Sequence, residues 1–369
     1  MKRITVALSL LCACFVPAAW GQKLTCPIIV DWTEFHTIDA ARWNPCETVL
    51  NVDNVNNLGL KWTYATAEWI YSSPVTANGV VYIASNDRSL HALDASSGAQ
   101  LWSYAICCHI ESSAAVADGV VYFGGGDHNV HALDAQTGTP LGRYATNDII
   151  MSTAVANGVV YVTSGSTIYA LKAKTGALLW SYPTGNYASA PAVAKGVVYL
   201  ASQDRKVYAL NARTGALLWS YATGGPVESS PSVANGVVYV GSGDGNVYAL
   251  NAHTGALLWN YPMWTSVICT PAVANGVVFT TAGASVYALN AKTGALLWDN
   301  FGYYYSSPAV ANGVVYYSGD RTLYASNART GAVLWSYAIG SLIHSSPTVV
   351  NGMVYIGADD GNVYAFGLQ

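Results

Sequence analysis

The segment Gly-Val-Val-Tyr, or a near copy, begins at Gly79, Gly119, Gly158, Gly196, Gly236, Gly276, Gly313 and Gly352, so successive starts lie 40, 39, 38, 40, 40, 37 and 39 residues apart. A period near 40 built from several short strands is the mark of a propeller or a similar array.

One unit, Glu228–Tyr261, reads as four strands. Ser229–Ala234 leads into Asn235-Gly236, a pair suited to the positive φ angles of a tight hairpin turn. Val237–Ser242 is β-branched and aromatic, as a buried strand should be. Gly243-Asp244-Gly245 turns the chain into Asn246–Ala252, and His253-Thr254-Gly255 turns it into Ala256–Tyr261. Turns this short allow only antiparallel neighbours, so each unit is a small four-stranded sheet. The eighth unit stops before its fourth strand, and the missing piece, Leu58–Tyr64, stands ahead of the first unit. Pairing it with Asn362–Phe366 completes eight blades and removes the open sheet edge. The expected fold is therefore all-β, an eight-bladed propeller over residues 58–369.

Lys2-Arg3, the apolar run Ile4–Val16 and Pro17-Ala18-Ala19 read as a secretory signal over residues 1–21. Leu11-Cys12-Ala13-Cys14 is the alternative, a lipoprotein-type box that would leave Cys14 lipidated. The expected location is periplasmic or secreted. A formal charge of −4 gives no basic footprint for nucleic acid. Residues 22–57 do not repeat and form a leader. Trp32, Phe35 and Trp43 are expected to pack it against the side or one end of the propeller. A Cys26–Cys46 disulfide would staple it by about 3 kcal/mol; two unpaired buried cysteines are the alternative.

The most specific element is Ala-x-Asp/Asn-x-x-Thr-Gly-x-x-x-Trp, as in Ala209–Trp219. It resembles the tryptophan-docking motif of propellers of the pyrroloquinoline-quinone (PQQ) dehydrogenase type. It recurs at Trp102, Trp180, Trp219, Trp259, Trp298 and Trp335, with Trp62 serving the split blade; in the second blade Arg143 is read as standing in the tryptophan's place. The resemblance implies an indole buried between adjacent blades. It also implies a role for Cys107-Cys108: dehydrogenases of this type carry adjacent cysteines in a comparable loop, joined as a vicinal disulfide over the quinone. The other readings are a pairing of one of them with Cys269, or no role.

Positions alike in every unit serve the fold, and positions that differ are free to specialise. The variable loops are those entering each first strand. They place Tyr71, Glu111, Met151, Ala188, Glu228, Ile268, Tyr305 and His344 in a ring expected around the mouth of the central channel. Such a mouth is the default binding site. Glu68, Glu111, Asp148 and Glu228 are its acids, with Glu111 or Glu228 the candidate base. Trp69 and Trp264 are candidate stacking surfaces. The histidines lack metal-ligand spacing, and no Cys-x-x-Cys-His offers a built-in haem. Asp87, Asp204, Asp244, Asp320 and Asp360 suit turns that bond their own backbone. Tyr303-Tyr304-Tyr305 falls outside the repeat and suits partner recognition.

Two functions follow. The first is a monomeric binding or scaffold module, similar in kind to the propeller lipoprotein of the outer-membrane assembly machinery, holding a protein or small ligand. The second, implied by the resemblance, is a PQQ- and calcium-dependent alcohol dehydrogenase.

Overall fold

Each repeat alternates a run of Val, Ile, Tyr and Ala with a glycine-bearing turn, and the structure, a computed structural model, turns every repeat into a four-stranded antiparallel sheet. It describes residues 31–35, 40–283, 285–302, 306–319 and 321–369. Blade one consists of Val75–Ala77, Val80–Ser85, Ser89–Asp94 and Gln100–Ala105. Blades two to seven follow the same order, with first strands Ala115–Ala117, Ile150–Ala156, Ala192–Ala194, Ser232–Ala234, Ala272–Ala274 and Ala309–Ala311. Blade eight joins Thr348–Val350, Met353–Gly357 and Asn362–Leu368 to Leu58–Ala65. The closing pair runs antiparallel from Leu58 opposite Leu368 to Ala65 opposite Asn362, with Trp62 opposite Ala365. The ring of first strands touches its neighbours all the way round, blade eight against blade one included.

The conserved spacing of the repeat is explained by what crosses between blades. Trp62, Trp102, Trp180, Trp219, Trp259 and Trp298 each donate the indole N–H to an alanine carbonyl of the following blade, at 2.9 to 3.2 Å. Trp335 does the same to the Leu58 carbonyl, 2.9 Å. The tyrosine of the Gly-Val-Val-Tyr run often bonds the same atom. Tyr199 and Trp219 of blade four both donate to the Ala252 carbonyl of blade five, at 3.1 and 2.9 Å. The glycine of the Thr-Gly turn gives the indole its seat: a Cβ on Gly255, where φ is +72°, would lie 2.7 Å from the Trp219 ring.

In blade two the seat is filled differently, and the reading of Arg143 needs correcting. Gly142 pairs with Ala132 as Trp102 pairs with Ala92, so glycine occupies the tryptophan position and Arg143 is its neighbour. Tyr144 moves onto the vacant shelf; a Cβ on Gly176 would fall 1.7 Å from its ring.

The Ser-Ser-Pro step closes the inner ring. Its first serine ties strand one to strand two within a blade, as when Gly241 N–H donates to Ser229 Oγ at 3.1 Å. Its second serine reaches across blades. The Ser73 amide donates to Ser113 Oγ at 2.9 Å, the Ser307 amide to Ser346 Oγ at 3.1 Å and the Ser346 amide to Ser73 Oγ at 3.0 Å. Backbone amides facing the channel are thereby satisfied without water.

Candidate functional site

The leader does not lie on the wall of the propeller. Its first described residues line the central channel, where they satisfy backbone groups that the short first strands leave open, and Val49, Leu50 and Val52 pack on the hairpin end of blades seven and eight. The Thr76 amide donates to the Trp32 carbonyl at 2.8 Å and the Val116 amide to Thr33 at 2.8 Å. The Val155 amide donates to Glu34 Oε2 at 3.1 Å. Further on, Trp43–Asn44 add a fifth, parallel strand to blade seven opposite Val310 and Ala311. Glu47 Oε2 accepts from the Gly352 amide at 3.1 Å. Cys46 is disulfide-bonded; its expected partner Cys26 and the signal segment 1–21 lie outside the described residues.

Arg42 fastens this segment. It is fully buried, and its guanidinium donates to the carbonyls of Phe35 at 2.8 Å, Pro308 at 2.9 Å, Pro347 at 3.2 Å and Ser307 at 3.4 Å. The group also lies 4.4 Å from the centre of the Phe35 ring. Among the described residues no carboxylate forms an ion pair with it. Burial pushes its pKa down to about 9, which leaves it charged at neutral pH. Nearby Cys269 is buried, and burial pushes its thiol up to about 11, with Thr281 and Arg42 opposing. Cys269 is therefore a protonated core group beside the leader, and Cys107 and Cys108 face each other instead of it.

Glu34 is held inside the channel, partly accessible but walled by protein, and desolvation raises its pKa from 4.5 to about 7 against the opposing bond from Val155. The folded protein keeps a proton that the unfolded chain releases above pH 4.5. Stability should therefore fall as pH rises from about 4.5 to 7 and level off beyond it. After discounting for water that reaches the carboxyl, the loss should be about 2 kcal/mol. Unfolding Glu34→Gln in urea at pH 5 and pH 8 checks this. The variant should lose most of that slope and be the more stable form at pH 8.

Above the leader the channel opens into two adjoining recesses that share Phe35, Ser113, Glu228 and Ser230. The larger, of about 310 Å³, is also bordered by Glu111, Met151, Tyr187, Ala188 and Gln203. The other, about 260 Å³, is bordered by Tyr71, Ile268, Cys269 and His344. The structure thus brings seven of the eight expected ring residues to one mouth; Tyr305 lies outside the described residues, with Tyr303 and Tyr304. Gln203 donates to Glu228 at 3.2 Å. The His344 ring stands edge-on to Tyr71 at 5.1 Å and bonds Asp359 through Nδ1 at 3.0 Å. Burial, then Asp359 and Glu111, raise the Tyr71 phenol pKa.

The other expected residues are not drawn in. Cys107 is exposed, Cys108 is half-buried, and their sulfurs face each other at 2.7 Å. Cys108 sits over Gly126, and neither cysteine borders the recesses. Contact with Cys107 is the main reason that the Cys108 pKa is raised. Trp69 packs against Tyr71 at 6.1 Å with half its surface open, and Trp264 is 92% exposed on another loop. The turn aspartates cap their own backbone: Asp244 accepts from Asn246 N–H at 3.0 Å and from the Tyr248 hydroxyl at 2.6 Å.

A quinone-binding slot needs the cysteine pair and an indole on opposite faces of one cavity, with an acid-and-amide cation cage beside it. Here Glu111 and Glu228 share the recess while the cysteines and both tryptophans stand elsewhere, and the leader's Phe35 fills the floor. No group of three or more His, Cys, Asp or Glu side chains placed to hold a metal ion occurs among the described residues. The residues that border the recesses thus include two acids but neither the cysteine pair nor either tryptophan.

What the site does present is apolar surface. The outer strands expose leucines at repeated positions, such as Leu178, Leu218 and Leu258. Apart from Val49 of the leader and Phe301 at the end of an outer strand, the other large exposed apolar side chains cluster in the variable loops: Trp69, Ile149, Met151, Tyr187, Trp264, Ile268 and Leu342. Sequence reasoning found the ring but missed Arg42 and Glu34. The available signal was that Arg42 is the single lysine or arginine between Lys23 and Lys61.

A family model described as outer membrane protein assembly factor BamB matches residues 59–148, 127–231, 222–303 and 286–368. No curated protein matches the chain. Among solved structures, BamB from Moraxella catarrhalis is 20% identical with a TM-score of 0.74, covering 85% of this chain and 98% of that one. The quinohemoprotein alcohol dehydrogenase ADHIIG from Pseudomonas putida HK5 is 17% identical with a TM-score of 0.81, covering 92% and 80%. The computationally designed Ika8 protein is 19% identical with a TM-score of 0.75, covering 82% and 97%. Identities this low show the fold alone, which has carried an assembly factor, an enzyme and a design.

Proposed function

We propose that this chain, which belongs to the family of the outer membrane protein assembly factor BamB, is a scaffold that binds a partner protein on the face bearing the channel mouth. One observation carries the reading: the large apolar side chains that break the repeat are exposed together on the loops of that face. Exposed apolar surface rimmed by polar groups marks interaction sites on soluble domains, and aromatic residues dominate their energetics. The recess beneath, about 310 Å³ and bordered by Phe35 of the leader, suits a seat for a protruding side chain. The signal-like residues 1–21 support a place outside the cytoplasm, and no helix among the described residues is long and apolar enough to cross a membrane.

The test sets two positions against each other. A photocrosslinking residue at Trp264 should trap one discrete partner in the native envelope, whereas the same residue at Leu218 on the outer wall should trap none. In parallel, the purified protein incubated with PQQ and calcium should show neither bound quinone absorbance nor dye-linked alcohol oxidation. Stoichiometric quinone binding with turnover would overturn the scaffold reading.

A further inference from the structure

The one blade boundary without an indole has left a cleft in the outer wall. At four boundaries the tyrosine near the end of one outer strand packs on an aromatic ring in the third strand of the next blade. Tyr64 lies 5.5 Å from His91, Tyr104 5.7 Å from His131, Tyr182 5.9 Å from Tyr208 and Tyr221 5.8 Å from Tyr248. The corresponding pair between blades two and three is Tyr144 and Tyr169. Tyr144, however, has been drawn onto the Gly176 shelf by the missing tryptophan, with its hydroxyl next to Gly142. Beside Tyr169 there remains an open cleft of about 670 Å³, bordered by Tyr144, Asn147, Tyr169, Leu178, Ser181 and Pro183. No charged side chain borders it. Tyr169 also lacks the aspartate that accepts the hydroxyl of Tyr208 and Tyr248 in later blades, because its turn reads Gly165-Ser166.

We infer that this cleft is a binding site for a neutral phenol-type aromatic ring. The seat corresponds to the one beside which a tyrosine ring packs at the equivalent boundaries, and Tyr144, Tyr169, Leu171 and Leu178 give it an apolar lining. Asn147, Ser181 and Thr167 supply polar partners for a ring hydroxyl at the edge. A charged ligand would be desolvated with nothing to pair it. The site lies on the outer wall and reaches the edge of the loop face at Asn147, away from Trp264 and Tyr71.

The test titrates the full chain with p-cresol and with N-acetyl-L-tyrosinamide, followed by ligand-detected NMR, with N-acetyl-L-leucinamide as control. Saturable binding of the phenols, at least tenfold tighter than the leucine amide, is expected. Tighter binding of p-cresol would identify free phenols as the ligand, and tighter binding of the tyrosine amide would identify a tyrosine on a polypeptide. Gly142→Trp should restore the indole, return Tyr144 to Tyr169 and weaken phenol binding at least tenfold. Leu178→Arg, at an exposed border position, should weaken it likewise without touching the blade boundary, and it decides the matter should the tryptophan variant not fold. Phenol affinity unchanged within twofold in the folded variants, or no preference over the leucine amide, would overturn the inference.

Discussion

Arg42→Ala should destabilise the propeller by roughly 4 kcal/mol, the largest effect expected of any single side chain in the leader. Four backbone carbonyls, from Phe35, Ser307, Pro308 and Pro347, take hydrogen bonds from one guanidinium. Truncation leaves them in a channel interior where each unsatisfied polar group costs about 1–3 kcal/mol, less whatever water enters the space. The cost of burying the charge is recovered at the same time, so the net loss falls short of the sum. Arg42→Lys should be nearly as harmful, because a single ammonium cannot span carbonyls from blades seven and eight and the leader itself. Urea unfolding gives the energy, and limited proteolysis gives the mechanism. Cleavage near Phe35 should accelerate in the variant, with the blades still resistant. A loss under about 1 kcal/mol, or equal proteolysis, would mean that the leader holds without its bolt.

That bolt also shows where the sequence was legible and where it was not. The blades could be read because every turn residue is repeated: Asn-Gly at the hairpins and Thr-Gly before the outer strands fix strand lengths whatever lies between. Closure could be read because Trp62 carries the outer-strand signature without the first three strands of its own unit. The ring at the mouth followed from a register rule, since one residue per blade precedes the serine step. The path of the leader had no such rule. Trp32, Phe35 and Arg42 occur once each, and their environment is set by main-chain atoms of blades up to 305 residues away. A lone arginine in sequence does not reveal that its partners will be carbonyls. The placement of Arg143 failed for a smaller reason. Counting four residues from Gly138, as from Gly98 to Trp102, lands on Gly142; alternation along a strand makes a slip of one residue a change of face. Cys107 and Cys108 were read through a resemblance in position along the chain, and they are not among the residues that border the recess with Glu111 and Glu228.

Trp219→Ala should cost about 3–5 kcal/mol, measured by urea unfolding, as expected for emptying a large aromatic seat. The indole is buried between blades four and five, packed on Gly255 and near Tyr199 at 6.0 Å. Trp219→Phe separates packing from hydrogen bonding. It should cost less, about 1–2 kcal/mol, since the Ala252 carbonyl still accepts from the Tyr199 hydroxyl at 3.1 Å. The natural boundary at Gly142 shows how the chain survives without an indole: Tyr144 gives up its own position to cover the shelf. Tyr221 is the corresponding candidate in blade four, but it is packed on Tyr248 at 5.8 Å, whose hydroxyl is tied to Asp244. Pulling Tyr221 away would break that packing, so the alanine variant should recover little. If Trp219→Ala cost under about 1 kcal/mol, backfilling would be easy at every boundary. The cleft between blades two and three would then be an ordinary consequence of losing a tryptophan, reproducible wherever one is removed. If the full penalty is observed, the glycine at position 142 is tolerated because Tyr169, unlike Tyr248, has no aspartate holding it in place for a partner ring.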